Sequence, residues 1–165
     1  MFGFGKQKIP LSGAVTIVMT YATMLPKQFA KSFEPLNLDS YEAYNSEIFA
    51  LSYSIAIISI QESGLSGADA QRLSARFTGT WSDFISRNLA GDKSATVMLI
   101  NHFQQSYLQY KDDISEQAMA EIFLRRLGVQ SPHPTVRLVS ERSIFAGQMM
   151  LNEQLTKLAK TRKIT

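Results

Sequence analysis

Residues 47–63 read EIFALSYSIAIISIQES, and no charged side chain falls between Glu47 and Glu62. Such a stretch is a membrane span, a core strand or a helix buried on all sides. Length decides against the first. Ile48–Ile60 is 13 residues, or roughly 20 Å as a helix, whereas a bilayer core needs about 30 Å. As a strand it is too long, and its apolar residues do not alternate. At helical spacing the pattern resolves. Tyr44, Ile48, Leu51, Ile55 and Ile58 form one stripe, and Phe49, Tyr53, Ile57 and Ile60 form a second. Glu47, Ala50, Ser54 and Gln61 leave only a narrow strip of mostly small residues between them. A helix that is apolar on two faces sits at the centre of others. The sequence therefore predicts an all-α fold: a single bundle of about six helices around a central helix at roughly residues 40–63.

The flanking sequence supplies the covering helices. Leu11, Val15, Val18, Ala22, Leu25 and Phe29 repeat at steps of four and three, a helical seam that Pro26 must kink or break near Leu25. PKQFAKSF then reads as a turn or short helix, and Asp39 or Ser40 as the N-cap of the central helix. Ser66 with Asp69 opens a helix in which Ala70, Leu73, Phe77, Trp81, Phe84 and Ile85 face inward. Asp92 and Ser115 are the next N-cap candidates, and Gly128 is a natural C-cap. Pro132 and Pro134 mark a loop. A final helix from about Thr135 to Lys160 carries Ile144, Gln148, Leu151, Leu155 and Leu158 on its inner stripe, and Gly147 is a place for it to bend. Val136–Val139 is the one short run with strand character. Met149 and Met150 are adjacent, so at least one lies off the inner stripe.

The domain reading is an N-terminal arm at residues 1–10, aromatic and basic, followed by one helical domain at 11–165 with a basic C-terminal end. Charge is unevenly spread. Residues 1–31 hold Lys6, Lys8, Lys27 and Lys31 and no acid, and residues 157–165 hold Lys157, Lys160, Arg162 and Lys163 and no acid. Residues 32–156 hold 9 basic and 14 acidic side chains, a net of −5. Basic ends attract an anionic lipid surface, nucleic acid or an acidic partner. Lys6 and Lys8 ahead of Ala14–Leu25 have the layout of a secretory leader, but cleavage after Ala30 would place Gln28 where a small residue is needed. The expected location is the cytoplasm, with peripheral membrane contact as the alternative.

Common chemistries find little support. Cysteine is absent, which removes disulfides, thiol nucleophiles and Cys-based zinc sites together. The two histidines lack the Glu-x-x-His spacing of a di-iron bundle, because residue 99 is Leu and residue 130 is Gln. Asp112, Asp113 and Glu116 read as a helix cap with solvated neighbours rather than a cation site. GLSG at 64–67 lacks the serine-elbow spacing, and there is no phosphate-binding glycine loop. Nucleic-acid binding is disfavoured, since Arg72, Arg76 and Arg87 are interleaved with Asp69 and Asp83 and the body is acidic. No metal, cofactor or catalytic residue is assigned.

Three functional readings follow. The leading one is a non-catalytic helical interaction or regulatory module that self-associates or binds a protein partner. The second is a peripheral membrane protein that uses Phe2, Phe4, Lys6 and Lys8, with Lys157, Lys160, Arg162 and Lys163 as further contacts. The third is a ligand-binding bundle or enzyme with a pocket near Trp81, His102 and Tyr107.

Overall fold

The computed structural model describes residues 6–165. Its α-helices are α1 (Leu11–Ala22), α2 (Leu25–Phe33), α3 (Tyr44–Glu62), α4 (Gly67–Asn88), α5 (Lys93–Tyr110), α6 (Glu116–Arg126) and α7 (Pro134–Thr161). Two short 3₁₀ turns, Glu34–Leu36 and Leu38–Ser40, lie between α2 and α3. The fold is an all-α bundle. Pro26 does break the first seam: it sits in the first turn of α2, so the segment after it forms a helix of its own.

α3 is the axis of the bundle. Every residue from Ala50 to Ile60 is buried, and α3 touches all six other helices. The strip left by Ala50 and Ser54 is also covered, and Ser52 and Ser54 spend their hydroxyls on their own backbone, whereas the buried Ser59 hydroxyl has no partner among the described residues. Ser52 Oγ donates to the Ile48 carbonyl at 2.8 Å, and Ser54 Oγ to the Ala50 carbonyl at 2.7 Å. A buried hydroxyl needs such a partner. Apolar stripes on α1, α2, α4 and α7 close over this core, where Trp81, Phe29, Phe33, Phe77, Phe103 and Phe123 are all essentially inaccessible.

The helix ends show where local chemistry governs. Ser66 Oγ accepts from the Asp69 amide at 3.2 Å, Asp92 Oδ1 from Ala95 at 2.8 Å, and Ser115 Oγ from Ala118 at 3.3 Å. Gly128 ends α6 at φ +89°, a conformation that side chains resist. One expected cap is displaced. α3 begins at Tyr44 with Ala43 in the cap position, not Asp39 or Ser40. Asn37 adopts the left-handed region (φ +57°), the chain winds into a 3₁₀ turn, and Ser40 Oγ donates back to the Asn37 carbonyl at 2.8 Å. Val136–Val139 is helical, because Pro134 pre-sets the first turn of α7 and His133 Nδ1 accepts from the Thr135 amide. Gly147 lies in an unbroken helix. A Cβ there would meet Leu25 Cδ2 at 3.0 Å, so this glycine serves the close approach of α2 to α7.

One feature has no signal in the sequence. Residues Gln7–Ile9 (β1) pair in parallel with Arg162–Ile164 (β2), so the two ends of the chain form a small clasp.

Candidate functional site

The clasp brings together the residues singled out at the two termini. Its register sets Gln7 beside Arg162, Lys8 beside Lys163 and Ile9 beside Ile164. The ladder continues into the helical body: the Thr165 amide donates to the Ile9 carbonyl at 3.0 Å, and the Leu11 amide to the Thr165 carbonyl at 3.1 Å. Alternation along a strand sends neighbours to opposite faces. Ile164 is accordingly buried and Ile9 half-buried, while Lys8 and Lys163 are exposed. Lys6 Nζ donates to the Ala159 carbonyl at the end of α7, where a cation also complements the helix dipole. Lys157 and Lys160 lie exposed on the last turns of the same helix, and Arg162 is half-exposed. Two basic segments whose paired residues stand 155 positions apart in sequence thus become one cationic end. Phe2 and Phe4 lie outside the described residues.

A second constellation was hidden in the sequence. Glu47, on α3, is buried, and Arg126 from the end of α6 grips it with Nε to Oε2 at 2.6 Å and Nη2 to Oε1 at 3.1 Å. His102 of α5 adds Nε2 at 2.9 Å from Oε1. Burial pushes the Glu47 carboxyl up, but the hydrogen bonds from His102 and Arg126, with the guanidinium charge, outweigh it and hold it below the usual carboxylate range. Because the carboxylate only accepts, the imidazole Nε2 faces it as a donor. Arg126 Nη2 also donates to Ser106 Oγ at 2.6 Å, and that hydroxyl donates to the His102 carbonyl at 2.7 Å. Glu47 and Arg126 are thereby engaged, while Nδ1 of the partly exposed His102 makes no hydrogen bond among the described residues. The network ties α3, α5 and α6 together. Tyr110 lies fully buried nearby, its hydroxyl unpaired among the described residues, and burial followed by the Glu47 charge pushes its phenol far up.

Trp81, His102 and Tyr107 do not share a pocket wall. Trp81 is inaccessible within a cluster of Phe49, Tyr53, Phe77 and Phe84. His102 belongs to the Glu47 network. Tyr107 lines a groove of about 630 Å³ between α3, α4 and α5, with Tyr53, Ile57, Ser74 and Thr78, and its hydroxyl donates to Gln61 at 3.0 Å. No charged residue lines that groove. Asp113 and Ser115 act as the local cap, Asp113 Oδ1 accepting from the Ser115 amide at 3.0 Å. Among the described residues no group of three or more His, Asp and Glu is arranged to hold a metal ion. No helix among them is long and apolar enough to cross a membrane.

The last helix has a second apolar face. Leu138, Phe145 and Met149 are 46%, 50% and 54% exposed, whereas Ile144, Leu151, Leu155 and Leu158 on the other side are buried. Met149 thus points outward, and Met150 is half-buried against the core. Comparison with family models, with curated proteins and with solved structures finds no match to this chain.

Proposed function

We propose that this protein is a non-catalytic, intracellular helical interaction module that pairs with a second copy of itself through the outward face of α7. The observation that carries this reading is the exposed stripe. Leu138, Arg142, Phe145, Met149, Asn152 and Thr156 follow steps of four and three along one side of the helix. That is the spacing of a helix–helix seam. The apolar centre of the stripe, Phe145 and Met149, is flanked by polar residues, which is the layout of an interface with a dry core and a wet rim.

Charge selects the geometry. In a parallel pair, Arg142 would face its own copy. In an antiparallel pair about Gly147, Phe145 packs on Met149 of the second copy, and Arg142 falls beside Asn152 and Glu153 of that copy. The antiparallel arrangement is therefore the favoured one. One helix face buries less than the roughly 1,200 Å² of a standard interface, so the dimer is expected to be reversible.

Sedimentation velocity over a concentration series tests this. The wild-type chain is expected to move from monomer to dimer, and Phe145→Asp is expected to remain monomeric with an unchanged far-UV spectrum. Arg142→Glu should weaken the dimer and Arg142→Glu with Glu153→Arg should restore it. A wild-type chain that stays monomeric throughout, or a dimer indifferent to Phe145→Asp, overturns the reading.

A further inference from the structure

We infer that the clasped chain ends form a docking surface for an anionic lipid bilayer. The warrant is the ladder register. Lys8 and Lys163 are direct cross-strand neighbours, and both are exposed. Adjacent strands lie about 4.8 Å apart, and like charges set opposite each other destabilise a ladder. No ion pair among the described residues offsets this like-charge contact. The ion pairs among the described residues are Asp69 with Arg72 and Glu47 with His102 and Arg126, none of which involves the clasp. Lys6, Lys157, Lys160 and Arg162 gather at the same end, and the nearest acid along α7 is Glu153, a turn before Lys157. A surface that holds cations together against their own repulsion is completed by external negative charge.

The bilayer is the favoured occupant over nucleic acid for two reasons. The body between residues 32 and 156 carries a net −5, so a long polyanion lying along the molecule is repelled, whereas a flat surface meeting one end is not. Phe2 and Phe4 also lie within a few residues of Lys6 in the chain. Aromatic side chains beside cations suit a lipid interface. Each cation near an anionic leaflet strengthens binding roughly fivefold. The site is composite: the C-terminal end brings four cations, the low edge of what recruits anionic lipid, and Lys6 and Lys8 raise the cluster to six.

The test is co-sedimentation of the full-length chain with phosphatidylcholine vesicles, with and without phosphatidylserine, at low and high salt. Salt-sensitive binding to the anionic vesicles alone is expected. Lys8→Glu and Lys163→Glu should each weaken it about 25-fold, since each reversal removes one cation and neutralises its neighbour. The same two variants should raise Tm, because they replace a like-charge pair by an opposite one, so lost binding cannot be ascribed to unfolding. Lys111→Glu, away from the clasp, should bind as wild type does. No binding at low salt, equal binding to neutral vesicles, or anionic binding that survives both clasp reversals overturns the inference. Displacement from the vesicles by a substoichiometric single-stranded oligonucleotide also overturns it, in favour of nucleic acid.

Discussion

Glu47 is a charged side chain at the edge of the most apolar stretch in the protein, and its fate illustrates how a single residue is decided by its surroundings. An isolated carboxylate inside a core is intolerable, but one held by a bidentate guanidinium is not. Breaking such a pair from one side leaves the other charge stranded. Glu47→Gln is therefore expected to cost about 3–5 kcal/mol, read from urea unfolding at neutral pH. The pH dependence has a definite sign. The folded carboxyl sits below its unfolded value, so its stabilisation is complete above the unfolded pKa of about 4.3 and is lost as pH falls through the folded one. The stability gap between wild type and Glu47→Gln should therefore narrow in acid; a gap that widens would contradict the assignment. The sequence carried part of this. Glu47 shares a narrow strip with Ala50, Ser54 and Gln61 between two apolar stripes, but that strip did not say which of its members would be buried: Glu47 is, and Gln61 is exposed. That Arg126 and His102 are the groups waiting there could not be read, because they lie 79 and 55 positions away in the chain and only packing brings them near.

At the level of elements, the signals that worked are those set within a few residues. Ser66, Asp92 and Ser115 cap the helices they precede because a short side-chain acceptor can reach an amide two or three residues on. Gly128 closes α6 because only glycine takes its backbone conformation without strain. Gly128→Ala is expected to destabilise by about 1–2 kcal/mol, measured as a lowered denaturation midpoint with an unchanged m-value. The central helix was legible for a similar reason, since two apolar stripes leave a helix only a narrow strip of mostly small residues. The misplaced start of α3 shows the limit. Asp39 and Ser40 are good caps in isolation, but the left-handed turn at Asn37 redirects the chain before they can act. Gly147 shows another. It reads locally as a place to bend, yet its role lies against Leu25 and Phe29 on a different helix. Gly147→Val should cost about 1–3 kcal/mol by overpacking this crossing, and an unchanged Tm would show that α2 gives way freely.

At the scale of the whole molecule, the clasp closes the chain on itself. Removing residues 162–165 takes away β2, the cap on the Leu11 amide and the buried Ile164 together. Amide hydrogen exchange at residues 7–11 is expected to accelerate in that variant, while protection in α3 persists, because the ladder adds only Ile164 and the half-buried Ile9 to the core that α3 organises. Loss of protection in both would instead make the clasp part of the global folding unit. The basic ends illustrate the same division. Their charge is plain in the sequence, but as two unrelated patches. The all-α class, the breaks between helices and the central position of α3 follow from the sequence alone, since periodicity and capping act over a few residues. The Glu47 network, the uncharged groove beside Tyr107, the second face of α7 and the union of the termini were decided by tertiary structure. Each depends on which distant surfaces meet, and the spacing of residues along a chain does not report their spacing in a packed fold.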